Sequence, residues 1–139
     1  MPDASFDLHR AARWIVCESS GRWVTAVKRF APQILPPHGI PCIVAASPAN
    51  VMKRLSAHGP QIILWEIQRD SLVKACESIT QAASLAPDSL QLVACHGISN
   101  RQQIALAELP VASFVRHPED LTRLMPMIQG YFARHDQLL

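Results

Sequence analysis

Seven residues carry side chains able to do chemistry and fall where an apolar run gives way to a polar one. They are Cys17 and Glu18, Glu66, Cys95 and His96, and Arg116 and His117. Carboxylates such as Glu18 and Glu66 can hold a cation or act as acceptors in group transfer. Cysteine with histidine offers a thiolate–imidazole nucleophile or, in a fourfold set, a tetrahedral zinc site. Cys95 and His96 are adjacent, and neighbours on a strand point to opposite faces, so His117 is the better partner for Cys95. No two of Cys17, Cys95, His96 and His117 have chelating loop spacing. The expectation is no metal, and free, mostly buried thiols at Cys17, Cys42, Cys76 and Cys95. The five glycines form neither a GxGxxG nor a GxxxxGK arrangement, so no nucleotide cofactor is expected.

The elements that must position these residues alternate along the chain. Trp14–Cys17 is a short apolar run, stopped by Glu18-Ser19-Ser20-Gly21 with helix-capping hydroxyls. Trp23, Val24, Val27 and Phe30 recur at helical spacing. Pro32, Pro36, Pro37 and Pro41 make 32–40 a loop. A second strand covers Cys42 to Ala46, and Ser47-Pro48 opens a helix ending at His58-Gly59. Gln61-Ile62-Ile63-Leu64-Trp65-Glu66-Ile67 reads as a central buried strand with one carboxylate near its exit. Asp70-Ser71 caps a helix closed by Ala86-Pro87-Asp88. Leu90–Cys95 is a fourth strand, Ser99-Asn100 caps a helix reaching Leu109, and Val111–Val115 is a fifth strand. Pro118 opens the last helix, with Glu119 and Asp120 in its first turn and Pro126 expected to kink or split it.

The 139 residues suffice for one domain with a real core: 1–12 is expected to be an N-terminal arm and 13–139 the folded domain. Hydrophobic residues make up 49% and charged residues 17%, with a net charge of +2. The basic residues are scattered, which argues against a nucleic-acid surface. No apolar run reaches the ~18–20 residues of a membrane span, and the start lacks a signal-peptide pattern, so the expected location is cytoplasmic.

Five strands alternating with five helices through short connections predict an α/β fold: a flavodoxin-like three-layer sandwich. Its parallel sheet would have the order 2-1-3-4-5, with helices on both faces. Ligands of such folds bind at the carboxyl ends of the strands, where Cys17-Glu18, Ser47, Glu66, Cys95-His96 and Arg116-His117 would converge.

Over about residues 13–135 this pattern resembles the receiver domain of two-component response regulators. That family has an acidic pair after strand one for magnesium and a phosphoryl-accepting Asp ending strand three. A Thr or Ser ends strand four, and a Lys before Pro ends strand five. The resemblance sets Cys17-Glu18 at the acidic pair, Glu66 at the acceptor, Cys95 at the hydroxyl, and His117-Pro118 at the Lys-Pro. The intervals between Glu66, Cys95 and His117 fit the family; the residue types depart from it at every position.

Glu66 is one methylene longer than Asp, and Cys17 is a soft ligand where magnesium wants oxygen. A histidine carries full charge only on the acid side of about 6.5. The resemblance therefore implies a pseudo-receiver: a non-enzymatic signalling module that binds protein partners without accepting phosphate and without a cofactor. A glutamate at the acceptor position would carry a fixed charge resembling the phosphorylated state. The alternatives are a small-ligand or metal-binding flavodoxin-like protein using the strand ends, and an atypical active receiver. The 99–135 region carries Ile104, Leu106, Leu109, Leu121, Leu124, Met127, Tyr131 and Phe132 and is the expected partner or homodimer surface.

Overall fold

A computed structural model describes residues 12–30, 40–56 and 59–137. All of the expected arm (1–12) except Ala12, most of the proline-rich loop (31–39) and residues 57–58 lie outside the described residues. The helix opened by Ser47-Pro48 ends at Arg54 and not at His58-Gly59, because Leu55 already takes an extended backbone (φ −71°, ψ 142°). The elements run β1 (Arg13–Cys17), α1 (Arg22–Phe30), β2 (Cys42–Ala45), α2 (Pro48–Arg54) and β3 (Gln61–Gln68). After a 3₁₀ turn (Arg69–Ser71) come α3 (Leu72–Leu85), β4 (Leu90–His96), α4 (Asn100–Leu106), β5 (Ser113–Val115) and α5 (Asp120–Gln137).

The five strands form one sheet in the order β2-β1-β3-β4-β5, and every pairing is parallel. This is the flavodoxin-like arrangement expected from the alternation. The long apolar run of β3 makes it the central strand, since only a doubly covered strand can bury side chains on both faces. Its alternation sorts the core. Trp14, Val16, Ile62, Leu64, Leu92, Ala94 and Val115 face α1 and α5. Ile15, Cys17, Ile63, Trp65, Ile67, Val93 and Cys95 face α2, α3 and α4. Each fully buried Ile or Leu contributes about 1.5–3 kcal/mol of transfer free energy.

Several boundaries differ from the sequence expectation. Ser71 makes no side-chain cap to α3; its hydroxyl bonds back to Gln68, so the chain first closes a 3₁₀ turn. Helix α4 stops at Leu106 because the amides of Glu108 and Leu109 turn back to Ala105 and Leu106 in tighter i→i+3 closures. Strand β5 begins only at Ser113, although the Ala112 amide already bonds to the Gln91 carbonyl at 2.8 Å. Pro126 lies inside α5 without splitting it. The apolar contacts of Leu121, Leu124, Ile128, Tyr131 and Phe132 hold both halves of that helix on the sheet.

The amino end of the sheet is closed by polar side chains. The Tyr131 hydroxyl accepts from the Gln61 amide (2.9 Å) and stands 2.6 Å from the Asp88 carbonyl and 3.1 Å from that of Gln61. The Gln61 side chain accepts from the Ser56 amide at 3.0 Å and donates to its carbonyl. Helix α5, β3, the α3–β4 turn and the segment after α2 are thus joined, leaving the carboxyl end as the open edge.

Candidate functional site

The five residues expected to form one site fall into two groups. Cys17, Glu18 and Glu66 line a cavity of about 300 Å³ at the ends of β1 and β3, together with Trp65, Ser71 and Lys74. Cys95 and His117 line a second, of about 230 Å³, at the ends of β4 and β5, with His96, Gly97, Ile98 and Arg116. The two cavities share no lining residue. Register explains part of the separation. Cys17 is level with Trp65 and Val93, whereas Cys95 is level with Ile67, two strands across from Cys17 and two residues further along.

Glu18 is only 5% exposed. Its two oxygens accept the amides of Trp23 (2.8 Å) and Val24 (2.6 Å), the second and third residues of α1. The local sequence dictates this. Gly21 (φ 79°) accepts the first helical bond, from the Thr25 amide, and has no side chain to cap the amides that follow. The carboxylate three residues earlier fills that role, with the charge favoured at a helix N-terminus. The Ser20 hydroxyl takes the Arg22 amide at 3.2 Å, so the first turn is fully satisfied. The hydroxyls of the 18–21 turn therefore supply only part of the cap, and Glu18, at the end of β1, faces its own helix rather than solvent.

Glu66 is half-buried and linked to this cap. The Ser20 Oγ stands 3.2 Å from Glu18 Oε1 and 3.2 Å from Glu66 Oε2, with one hydrogen to donate between them. Arg116, at the end of β5, is tied to α4: its Nη2 donates to Asn100 Oδ1 (3.3 Å) and Gln103 Oε1 (2.8 Å). Burial pushes the Cys17 thiol up to about 11, and the charges of Glu66 and Glu18 add to the effect. At neutral pH it is a protonated, weakly nucleophilic thiol. Burial also raises Cys95, opposed by the Arg116 guanidinium.

Three further side chains, Gln91, Lys74 and Asp120, shape these cavities. The Trp65 indole donates to Gln91 Oε1 at 2.7 Å, and Gln91 Nε2 donates to the Ile79 carbonyl at 3.0 Å. This buried relay fixes the tryptophan that floors the first cavity; its signal was a glutamine inside the apolar run Leu90–Cys95. Lys74 supplies the cation of that cavity. Asp120 Oδ2 accepts the amides of Arg116 (2.9 Å) and His117 (3.1 Å), holding the turn that presents both side chains.

Among the described residues, no group of three His, Cys, Asp or Glu side chains is placed to hold a metal ion. Nor is any described helix long and apolar enough to cross a membrane. In the 99–135 region, Leu106, Leu121, Leu124, Tyr131 and Phe132 are buried in the core, while Ile104 is 69% exposed. Ile104 lies beside Phe114, Ala107 and Arg116 on the α4–β5 surface. Compared with known proteins, the chain matches no family model, no curated protein and no solved structure at a significant level.

Proposed function

We propose that this chain is a pseudo-receiver, a non-enzymatic signalling and protein-interaction module that does not accept phosphate. One observation carries the reading: both oxygens of Glu18 are engaged by the α1 amides. Phosphoryl transfer to a strand-three carboxylate requires a divalent ion held by oxygen ligands beside it. With Cys17 a protonated thiol and Glu18 capping a helix, Glu66 is the one carboxylate left to bind such an ion. Glu66 then acts as a constant charge tied to α1 through Ser20. The partner surface on this reading is the α4–β5 face around exposed Ile104, beside half-buried Phe114.

The test is incubation with a small phosphodonor and magnesium, followed by intact-mass measurement. Neither the natural chain nor Glu66→Asp is expected to gain a phosphoryl group. An adduct on the natural chain would overturn the reading. An adduct on Glu66→Asp alone would mean that side-chain length, rather than the missing metal ligands, blocks the reaction.

A second reading, a small-ligand-binding flavodoxin-like protein, is favoured by the cavity of about 300 Å³ in which Glu66 and Lys74 offer opposite charges. A small molecule retained by the purified protein and displaced by Lys74→Ala would support it.

A further inference from the structure

The cavity at the ends of β4 and β5 differs in charge from its neighbour. Its lining is Cys95, His96, Gly97, Ile98, Arg116 and His117, with no carboxylate. The Arg116 guanidinium is held by two neutral acceptors, Asn100 and Gln103, through Nη2. Its positive charge is therefore uncompensated by these partners. Nε and Nη1 retain three N–H donors, in the planar fork that matches oxyanions. The nearby acid, Asp120, is not part of the lining. Its Oδ2 is occupied by the amides of Arg116 and His117, and it also feels the charges of Arg123 and His117. Gly97 turns the chain out of β4 at φ 69°, and no heavy atom lies within 4 Å of the place a Cβ would take, so the mouth is open.

We infer that this cavity is a binding site for a small oxyanion, either inorganic phosphate or the phosphate group of a small monoester, held by Arg116, His96 and His117. Arg116 supplies a charge at every physiological pH, and the imidazoles supply further N–H donors. The site is separate from Glu66, and two of its three N–H donor side chains, His96 and Arg116, lie outside the positions compared with the receiver motif. It goes beyond the pseudo-receiver reading and holds whether or not Glu66 accepts phosphate.

The experiment is an amide-resolved NMR titration of the full chain at mildly acidic pH, where histidines gain charge. Inorganic phosphate and methyl phosphate are added separately, with chloride at matched ionic strength as the control. Saturable shifts are expected at Cys95–Ile98 and Arg116–His117, absent with chloride. The double substitution His96→Gln and His117→Gln leaves the Arg116 tie to α4 in place. It is expected to weaken binding about 10-fold or more, as loss of charge-assisted hydrogen bonds does. A dispersed spectrum of that variant confirms its fold, and should it unfold, His117→Gln alone gives the same readout. Tighter binding of methyl phosphate points to a monoester as the ligand; equal or weaker binding points to the free ion. Shifts that do not saturate, that follow chloride, that centre on Cys17 and Glu66, or that survive the histidine substitutions would overturn the inference.

Discussion

The two cavities at the carboxyl edge of the sheet are built from the same kind of position and behave oppositely. At the ends of β1 and β3 the charged groups include two acids, and one of them is turned inward onto its own helix. At the ends of β4 and β5 the cavity is lined by a guanidinium, two imidazoles and a thiol, and the acid alongside fixes the backbone from outside. In both halves a carboxylate caps a turn. In the first this ties up the oxygens of a residue that lines the cavity. In the second it presents site residues to the cavity. A parallel sheet guarantees that strand ends share an edge; local hydrogen-bond demand decides which side chains remain available there.

The strongest way to break this comparison is to remove the inward acid. Glu18→Ala leaves the amides of Trp23 and Val24 without their acceptor in a setting where Glu18 is buried. The expected loss is about 3 kcal/mol in the unfolding free energy, since each orphaned buried group costs about 1–3 kcal/mol. Glu18→Gln keeps one acceptor oxygen and should lose about half as much. Urea denaturation followed by the buried tryptophans measures both. A change below about 0.5 kcal/mol for the alanine variant would show that the cap is dispensable, which frees Glu18 for the metal chemistry denied above.

Removing the outward acid should cost less. Asp120→Ala frees the amides of Arg116 and His117, but this turn is largely exposed and water replaces the lost acceptor. A loss of about 1 kcal/mol or less is expected. The pH dependence sharpens the contrast. Hydrogen bonds from those two amides hold the Asp120 carboxyl below its ordinary value, with help from Arg123 and His117. A depressed folded value means that the contribution is complete above the ordinary aspartate pKa of about 3.9 and is lost as pH falls through the lower folded one. The natural chain and the Asp120→Ala variant should therefore differ at neutral pH and converge under acid, as read from paired denaturation curves. A gap that persists at low pH would assign the role of Asp120 to packing.

The contrast also shows what could be read from the sequence. The parallel sheet was legible because Ile62–Leu64 read as a doubly covered strand and the connections as crossovers, and its order is the common one for five such strands. The site was legible only as a set of strand-end positions. The direction of Glu18 was not, because it depends on Gly21 being the residue at the α1 N-cap; a serine or aspartate there would have released Glu18. Arg116 could not be assigned to Asn100 and Gln103 either, because those acceptors lie 16 and 13 residues earlier and meet it only through the packing of α4 beside β5. The aromatic and aliphatic residues of 99–135 looked like a partner surface because the helical face that meets the sheet is wide; Leu106, Leu121, Leu124, Tyr131 and Phe132 are spent on the core, and Ile104 is the one of that set left largely exposed.

The smallest effect compares the thiols, which report the charge of each half directly. Both Cys17 and Cys95 are raised by burial. Glu66 and Glu18 then push Cys17 further up, to about 11, whereas Arg116 pulls Cys95 back. Thiolate is the reacting form, so alkylation in the folded protein should be slower at Cys17 than at Cys95. Glu66→Gln removes one of the two acidic charges acting on Cys17. Its alkylation should then accelerate by about 3-fold for each unit the thiol pKa falls, because the gain in thiolate is partly offset by lower nucleophilicity. Cys95 belongs to the other half and should not respond. Peptide-resolved mass spectrometry of a timed alkylation gives both rates in one sample. If both cysteines accelerate together, Glu66→Gln has loosened the fold rather than discharged one cavity. If neither does, burial alone governs the thiols, and the electrostatic division between the two halves has no chemical consequence at their cysteines.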